Sequence, residues 1–453
     1  MSKIEFANEG NNESNKKEKS SSNSSKDNDS EKLSSYQSLN DNEPNEKPLT
    51  EALNVEGNPS LKLENNDTDI SNIKKTNDED INFKKGCVKK LKDNKMTIFL
   101  IIIILLLIAI LIEFSFHYIR KRNKSWLVIG GIISQLLSER DENNKRLFLH
   151  KEDIIEKNNT KNLIHICLTF DENFIYPALV LMTSLLENNN KENNLVVLHL
   201  LLPDSFKETK FEVIESLKKK YEVKINYYII PNFFNSLKKW RENTYTIYFK
   251  MIIPIMFFDL DRIIFLDADT LVFKDLLEMY NLPLNDNYVL GFPSHDAKYI
   301  SLLIDEVKIY INVGILLINI KKIREDNKDI ELLEYMFDKT EILTFPEQDA
   351  MNVVFYGKIG MLPLKYGILL YDIDVYDNKL KSRINVKIDR DEMKNAIEDP
   401  SIIHFSLCNP KVWFPSSKNY YGKNYICKKY YNIFYYYANK TEFYYDIYKK
   451  YHY

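Results

Sequence analysis

The chain is 453 residues long with a formal net charge of −3, so nothing in its global electrostatics points to a nucleic-acid partner. Length alone allows two or three domains, but composition divides the chain unevenly. Residues 1–95 are mostly Asn, Ser, Lys, Asp and Glu with almost no clustered aliphatic residues; such a stretch buries too little apolar surface to offset its ordering entropy and is expected to be a disordered, cytosolic tail.

Residues 96–119 follow as one apolar run, uncharged from Thr97 to Ile112. At ~1.5 Å per residue the part from Thr97 to Ile119 reaches roughly 34 Å, enough to cross the ~30 Å hydrocarbon layer, and a transmembrane signal anchor is expected. It lies too far behind a polar tail to be an ordinary cleaved signal peptide. Lys84, Lys85, Lys89, Lys90, Lys92 and Lys95 precede the run, and Arg120, Lys121, Arg122 and Lys124 follow it. The excess on the N-terminal side favours a type II orientation, with the C-terminal part in the lumen of the Golgi or endoplasmic reticulum. Cys87 beside the span is either a palmitoylation site or a plain juxtamembrane cysteine.

Residues 120–160 read as a stem, in which Trp126–Leu137 is too short to span and suits an interfacial or stem helix. The sequons at Asn158-Asn159-Thr160 and Asn439-Lys440-Thr441 fit a luminal module but arise easily in Asn-rich sequence. Cys408 and Cys427 either pair as a disulfide there or remain free.

From residue 161 to 453 apolar runs alternate with helical patterns. LIHICLTF (163–170), LVVLHLLL (195–202) and VKINYYII (223–230) read as strands. Between them, a helix opens at Pro177, and residues 205–221 have a helical period with Ser205 as its cap. This order predicts an α/β domain with a mostly parallel, Rossmann-like sheet and helices on both faces. Ligands in such sheets bind beyond the carboxyl ends of the strands. Asp171, Glu172 and Asn173 follow the first strand. Further on, the apolar Ile263–Leu266 runs into Asp267 and Asp269. Two carboxylates one residue apart at a strand end suit Mg²⁺ or Mn²⁺ shared with a diphosphate. By itself the pair is equally well a solvated turn.

The stretches LTFDENFIYPALVLMTSLLEN, TYTIYFKMIIPIMFFDLDRIIFLDADTLVFKDLLEMY, YINVGILLINIKKIRE, FPEQDAMNVVFYGKIGMLP and IIHFSLCNPKVWF resemble the successive motifs of glycosyltransferase family 8, and more its bacterial-type members than glycogenin. The resemblance covers residues 161–450 and implies the GT-A fold of nucleotide-diphospho-sugar transferases. It also implies roles. Asp267, Asp269 and His404 match the metal ligands, for Mn²⁺ or Mg²⁺. Asp171 and Asn173 match contacts to uracil and ribose, and Phe174 lies against the base. Lys250 stands where the family usually has Arg, a point charge without the guanidinium fork; the plain reading of such a residue is a solvated helix lysine. Asn312 and Gly314 match the turn at the donor sugar, with Val313 replacing a common Ala. Glu347, Gln348 and Asp349 align with the D-Q-D stretch, Gln348 approaching the anomeric carbon and Asp349 the sugar hydroxyls. Lys411 matches the lysine of H-x-x-G-x-x-K-P-W, although Leu407 takes the Gly position, Lys411 stands one residue further on and Val412 replaces Pro.

The resemblance therefore implies a retaining, metal-dependent transfer of a hexosyl unit, glucose or galactose, from a UDP-sugar to the hydroxyl of a glycan, glycolipid or glycoprotein. Lys250, Gln348 and Asp349 are its expected catalytic residues. Asp171, Asn173, Phe174, Asp267, Asn312, Gly314 and Lys411 hold the donor. The altered loop after His404 leaves a second reading, a membrane-tethered UDP-sugar-binding or scaffold protein without transfer. A third, self-glucosylation on the Tyr-rich C-terminus, fits poorly with a membrane span.

Overall fold

The computed structural model describes residues 95–116, 130–131, 134, 146–235, 237, 245–294, 309–369, 390–406, 411–415 and 425–453. The expected disordered tail, Cys87, most of the stem and the 407–410 stretch with Cys408 lie outside these, as does the side chain of Cys427. Lys95–Phe116 is a single helix of mean hydropathy 3.2, none of it buried, long and apolar enough to cross a membrane. Residues 117–119, expected to complete it, are not among those described.

Eight strands form the main sheet in the order β1 (Leu149–Lys151), β4 (Val223–Ile230), β3 (Asn194–Pro203), β2 (Asn162–Thr169), β5 (Arg262–Asp267), β8 (Ile311–Asn319), β7 (Val289–Pro293) and β9 (Ile359–Met361). The β4, β3, β2 and β5 run is parallel. Its strands read as mainly apolar runs because both faces are covered. Ile164, Ile166 and Leu168 face one core with the helix Ile175–Glu187. Cys167 faces the other, with Met336 and Leu333 of the helix Lys328–Lys339. Alternate residues of one strand thus feed separate cores. Strand β8 runs against β5, with Leu266 opposite Ile315, so its first residues arrive beside the end of β5.

A smaller sheet joins β10 (Ile368–Leu369), β11 (Ile402–His404) and β6 (Thr270–Val272). Three strands of two or three residues leave almost no periodic signal, and this sheet is absent from the sequence reading. It matters because His404 pairs opposite Thr270, one residue past Asp269.

The 205–221 stretch is helical without interruption from Glu208 to Lys219, as a 3₁₀ turn (Glu208–Lys210), an α-helical turn (Phe211–Glu215) and a second 3₁₀ turn (Ser216–Lys219), and the cap expected at Ser205 is not used. Instead Phe206 N–H turns back to Pro203 O and carries Phe206 into the core, while Lys207 N–H donates to Glu172 Oε1 at 2.9 Å. These tertiary contacts set the start of the helix at Glu208. The C-terminal tyrosines mostly pack: Tyr430, Tyr431, Tyr435 and Tyr437 from Tyr425–Ala438 and Tyr451 from Tyr444–His452 join the first core.

A buried polar series crosses the sheet. His165 Nδ1 meets His199 Nε2 at 3.0 Å, His199 Nδ1 meets the Tyr228 hydroxyl at 3.1 Å, and Arg146 reaches that hydroxyl and Asp259. Burial, aided by the Arg146 charge and opposed by Asp259, pushes His165 down from 6.5 to about 4. His199 is pushed down as well, by burial and by its neighbours His165 and Arg146. In the unfolded chain His165 takes a proton below 6.5, while in the fold it refuses one until about 4. Its contribution is therefore full above 6.5 and falls as pH drops, by ~1.4 kcal/mol per unit, to a total loss of ~3 kcal/mol near pH 4. Urea unfolding between pH 4.5 and 7 is expected to show at least this slope, since His199 adds to it, and His165→Phe to reduce it; an unchanged slope in that variant refutes the assignment.

Candidate active site

Three elements deliver the candidate metal ligands. Strand β5 ends at Asp267, the turn to β6 carries Asp269, and β11 ends at His404. Phe405 N–H bonds Asp269 O at 2.9 Å and Thr270 Oγ1 bonds Asp267 O at 2.9 Å, which ties the turn to both sheets. Oxygens of both carboxylates and a ring nitrogen of His404 lie within 4.8 Å of one another. His404 Nε2 is 3.0 Å from Asp269 Oδ1 and 3.8 Å from Asp267 Oδ2.

Two lysines neutralise the carboxylates. Lys250, only 2% exposed rather than solvated, sets its Nζ 3.1 Å from Asp267 Oδ1 and 3.3 Å from Val313 O, over the Phe265 ring. Lys411 Nζ lies 2.6 Å from Asp269 Oδ2 and 2.8 Å from Phe405 O. Despite the altered spacing, this lysine arrives at the acidic pair. Burial alone pushes the Asp269 carboxyl up, but Lys411 and His404 together outweigh it and hold the group well below the usual carboxylate range.

The residues fit a hard divalent cation. Two carboxylates and an imidazole are a suitable donor set. His404 brings its Nε2 to both carboxylates, and its Nδ1 is buried with no hydrogen-bond partner among the described residues. Gly314 closes the cradle: a Cβ there would stand 2.6 Å from Asp267 Oδ2 and 2.2 Å from His404 Cε1.

The expected donor-binding residues gather at the same sheet end. Asp171 lies two residues beyond Thr169, which pairs with Asp267. Its Oδ1 accepts the N–H groups of Asn173 and Phe174 at 2.9 and 3.2 Å, shaping the entry to the helix Ile175–Glu187. Asn173 is exposed, and the Phe174 ring meets Trp413 edge-on at 6.1 Å. Through Trp413, two residues past Lys411, the loop after β2 touches the loop after β11.

On the other side, Asn312 Oδ1 accepts Gly314 N–H at 2.9 Å, and Asn312 Nδ2 donates to Gln348 Oε1 at 3.1 Å. Asp349 is 1% exposed; Oδ1 accepts from the Tyr310 hydroxyl and Oδ2 from the N–H groups of Thr344 and Phe345. Burial pushes the neighbouring Glu347 carboxyl up, against the opposing charge of Lys250. Sequence reasoning missed Tyr310, whose aromatic side chain reads as the start of an apolar strand. It also missed Asn352, which ties the helix Pro346–Val354 to both backbone groups of Ile311.

The profile of glycosyl transferase family 8 matches residues 165–416, more than half of the chain. The chain belongs to glycosyltransferase family 8. Among curated family relatives, it is 24% identical over 274 residues to a lipopolysaccharide 1,2-glucosyltransferase of Escherichia coli K12, covering 58% of this chain and 78% of that protein. A second Escherichia coli lipopolysaccharide 1,2-glucosyltransferase is 25% identical over 299 residues, covering 62% and 84%. Among solved structures, the apo form of the bifunctional glycosyltransferase WbbM superposes with a TM-score of 0.52 at 21% identity, over 65% of this chain and 52% of that one. The chain thus spans about half of WbbM, and the likeness is one of fold. With the family match, it gives the module the GT-A fold expected from the motifs.

Proposed function

We propose that this family 8 module is a retaining hexosyltransferase that moves glucose or galactose from a UDP-sugar to an acceptor hydroxyl on a glycan, glycolipid or glycoprotein. The observation that carries the reading is the convergence of Asp267, Asp269 and His404, with Lys250 and Lys411 on the two carboxylates. Two carboxylates against two ammonium groups leave the pocket near charge balance, so a divalent cation added there creates the positive field that a nucleoside diphosphate needs. When bound, Mn²⁺ or Mg²⁺ supplies Lewis-acid stabilisation of the UDP leaving group.

The chain's own residues do the rest. Asp171, Asn173 and Phe174 hold uridine at the end of β2, and Asn312 and Gly314 line the sugar. Lys250 and Lys411 turn from their carboxylates toward the diphosphate and stabilise charge as it develops. Gln348 faces the anomeric carbon. Asp349, the carboxylate beside it, has both oxygens held by protein donors, which disfavours it as a covalent nucleophile. A front-face transfer follows: the anomeric carbon–phosphate oxygen bond breaks, the acceptor oxygen bonds on the same face, and its proton leaves with the phosphate.

The Lys95–Phe116 helix and the lysines before it support a type II anchor with this module in the Golgi or endoplasmic reticulum lumen. UDP release from UDP-glucose and UDP-galactose, with Mn²⁺ and then with EDTA, tests the reading. Metal-dependent release is expected. Tight binding of UDP without release from any UDP-sugar would favour a sugar-nucleotide-binding scaffold instead.

A further inference from the structure

Tyr310, the last residue before β8, is 2% exposed, and its hydroxyl sits between two residues of the helix Pro346–Val354. It donates to Asp349 Oδ1 at 2.6 Å and accepts from Gln348 Nε2 at 2.9 Å. Gln348 Oε1 accepts from Asn312 Nδ2 at 3.1 Å, and Asn312 Oδ1 accepts from Gly314 N–H at 2.9 Å. Each end of this series is a group whose role cannot be reversed: a carboxylate only accepts, and a backbone N–H only donates. Asp349 takes the Tyr310 proton, so the Tyr310 oxygen accepts and draws the Gln348 NH₂. From the other end, Gly314 takes the Asn312 carbonyl and turns its NH₂ to Gln348 Oε1. Both ends dictate one orientation of an amide that has no such preference in isolation.

We propose that Tyr310 and Asp349 are positioning residues that lock the Gln348 side chain with its carbonyl oxygen toward Asn312 and the donor sugar. This rests on the transferase reading. An amide oxygen there stabilises the positive charge that develops on the anomeric carbon, and an NH₂ group in its place opposes it.

Thermal unfolding of the full chain at pH 8 tests the relay without any donor. Gln348→Glu puts an acceptor where the Tyr310 oxygen needs a donor. Asp349→Asn keeps a carbonyl for the Thr344 and Phe345 N–H groups but turns its NH₂ to Tyr310, sending the Tyr310 proton toward position 348. Each single variant is mismatched, and the double variant is matched again. The double variant is therefore expected to melt above either single one; additive losses overturn the relay. Turnover of UDP-glucose and UDP-galactose with Mn²⁺ gives the second readout. Tyr310→Phe and Asp349→Asn are expected to lower kcat roughly tenfold with donor KM nearly unchanged. Normal kcat in both, with Gln348→Ala impaired, overturns the positioning role. Normal kcat in Gln348→Ala instead removes Gln348 from the proposed reaction, whatever the thermal cycle shows.

Discussion

Asp269→Asn is expected to abolish metal-dependent UDP release, by roughly 10²–10³-fold or more, while the module stays folded. Asp269 is where the site's charges meet, with His404 Nε2 on one oxygen and Lys411 Nζ on the other. An asparagine keeps the shape and one acceptor but removes the charge that a hard cation needs. The stability cost is smaller. Breaking a fully buried ion pair costs several kcal/mol, but the Lys411 side chain is 26% exposed and also bonds Phe405 O. A loss of ~1–2 kcal/mol, read as a few degrees in Tm, is expected. UDP release against Mn²⁺ concentration and a thermal melt on the same sample separate the two effects. Wild-type turnover with wild-type metal dependence would show that Asp269 is not a ligand.

The parallel strands were legible because burial on both faces writes them as mainly apolar runs, and β2, β3 and β4 fall within a residue of expectation. The late start of the helix in 205–221 was not, since it depends on Glu172 reaching Lys207 across 35 residues. The same limit hid the character of Lys250. Its helical surroundings read as solvent-facing, yet its partners are a carboxylate and a carbonyl brought in by other strands. His404 is a further case. Nothing in IIH distinguishes a ligand from a core histidine; only the order of the motifs singled it out, and only the pairing of β11 with β6 explains why it lands beside Asp269. Residues whose role is set by local backbone were readable, whereas residues set by cross-sheet pairing needed either family resemblance or coordinates.

Gly314→Ala is expected to impair metal binding more than folding. The new Cβ would lie 2.2 Å from His404 Cε1, 2.6 Å from Asp267 Oδ2 and 2.9 Å from His404 Nδ1, so something must move. The backbone at 314 has little room to yield, because its N–H is held by Asn312 and the next residue pairs with Leu266. What remains are the His404 ring, buried at 2%, and the Asp267 carboxylate, which is 31% exposed. Either motion withdraws a ligand from the triad. Mn²⁺ affinity, measured by calorimetry or by the paramagnetic signal of the free ion, is expected to fall at least ~10-fold. The overpacking cost is ~1–3 kcal/mol. Gly367→Ala is the matching control: its Cβ would press on Phe292 at 2.3 Å, a comparable clash with no ligand in reach. That variant is expected to lose stability and keep Mn²⁺ affinity. Equal Mn²⁺ affinity in Gly314→Ala and wild type would mean that His404 and Asp267 do not share an ion.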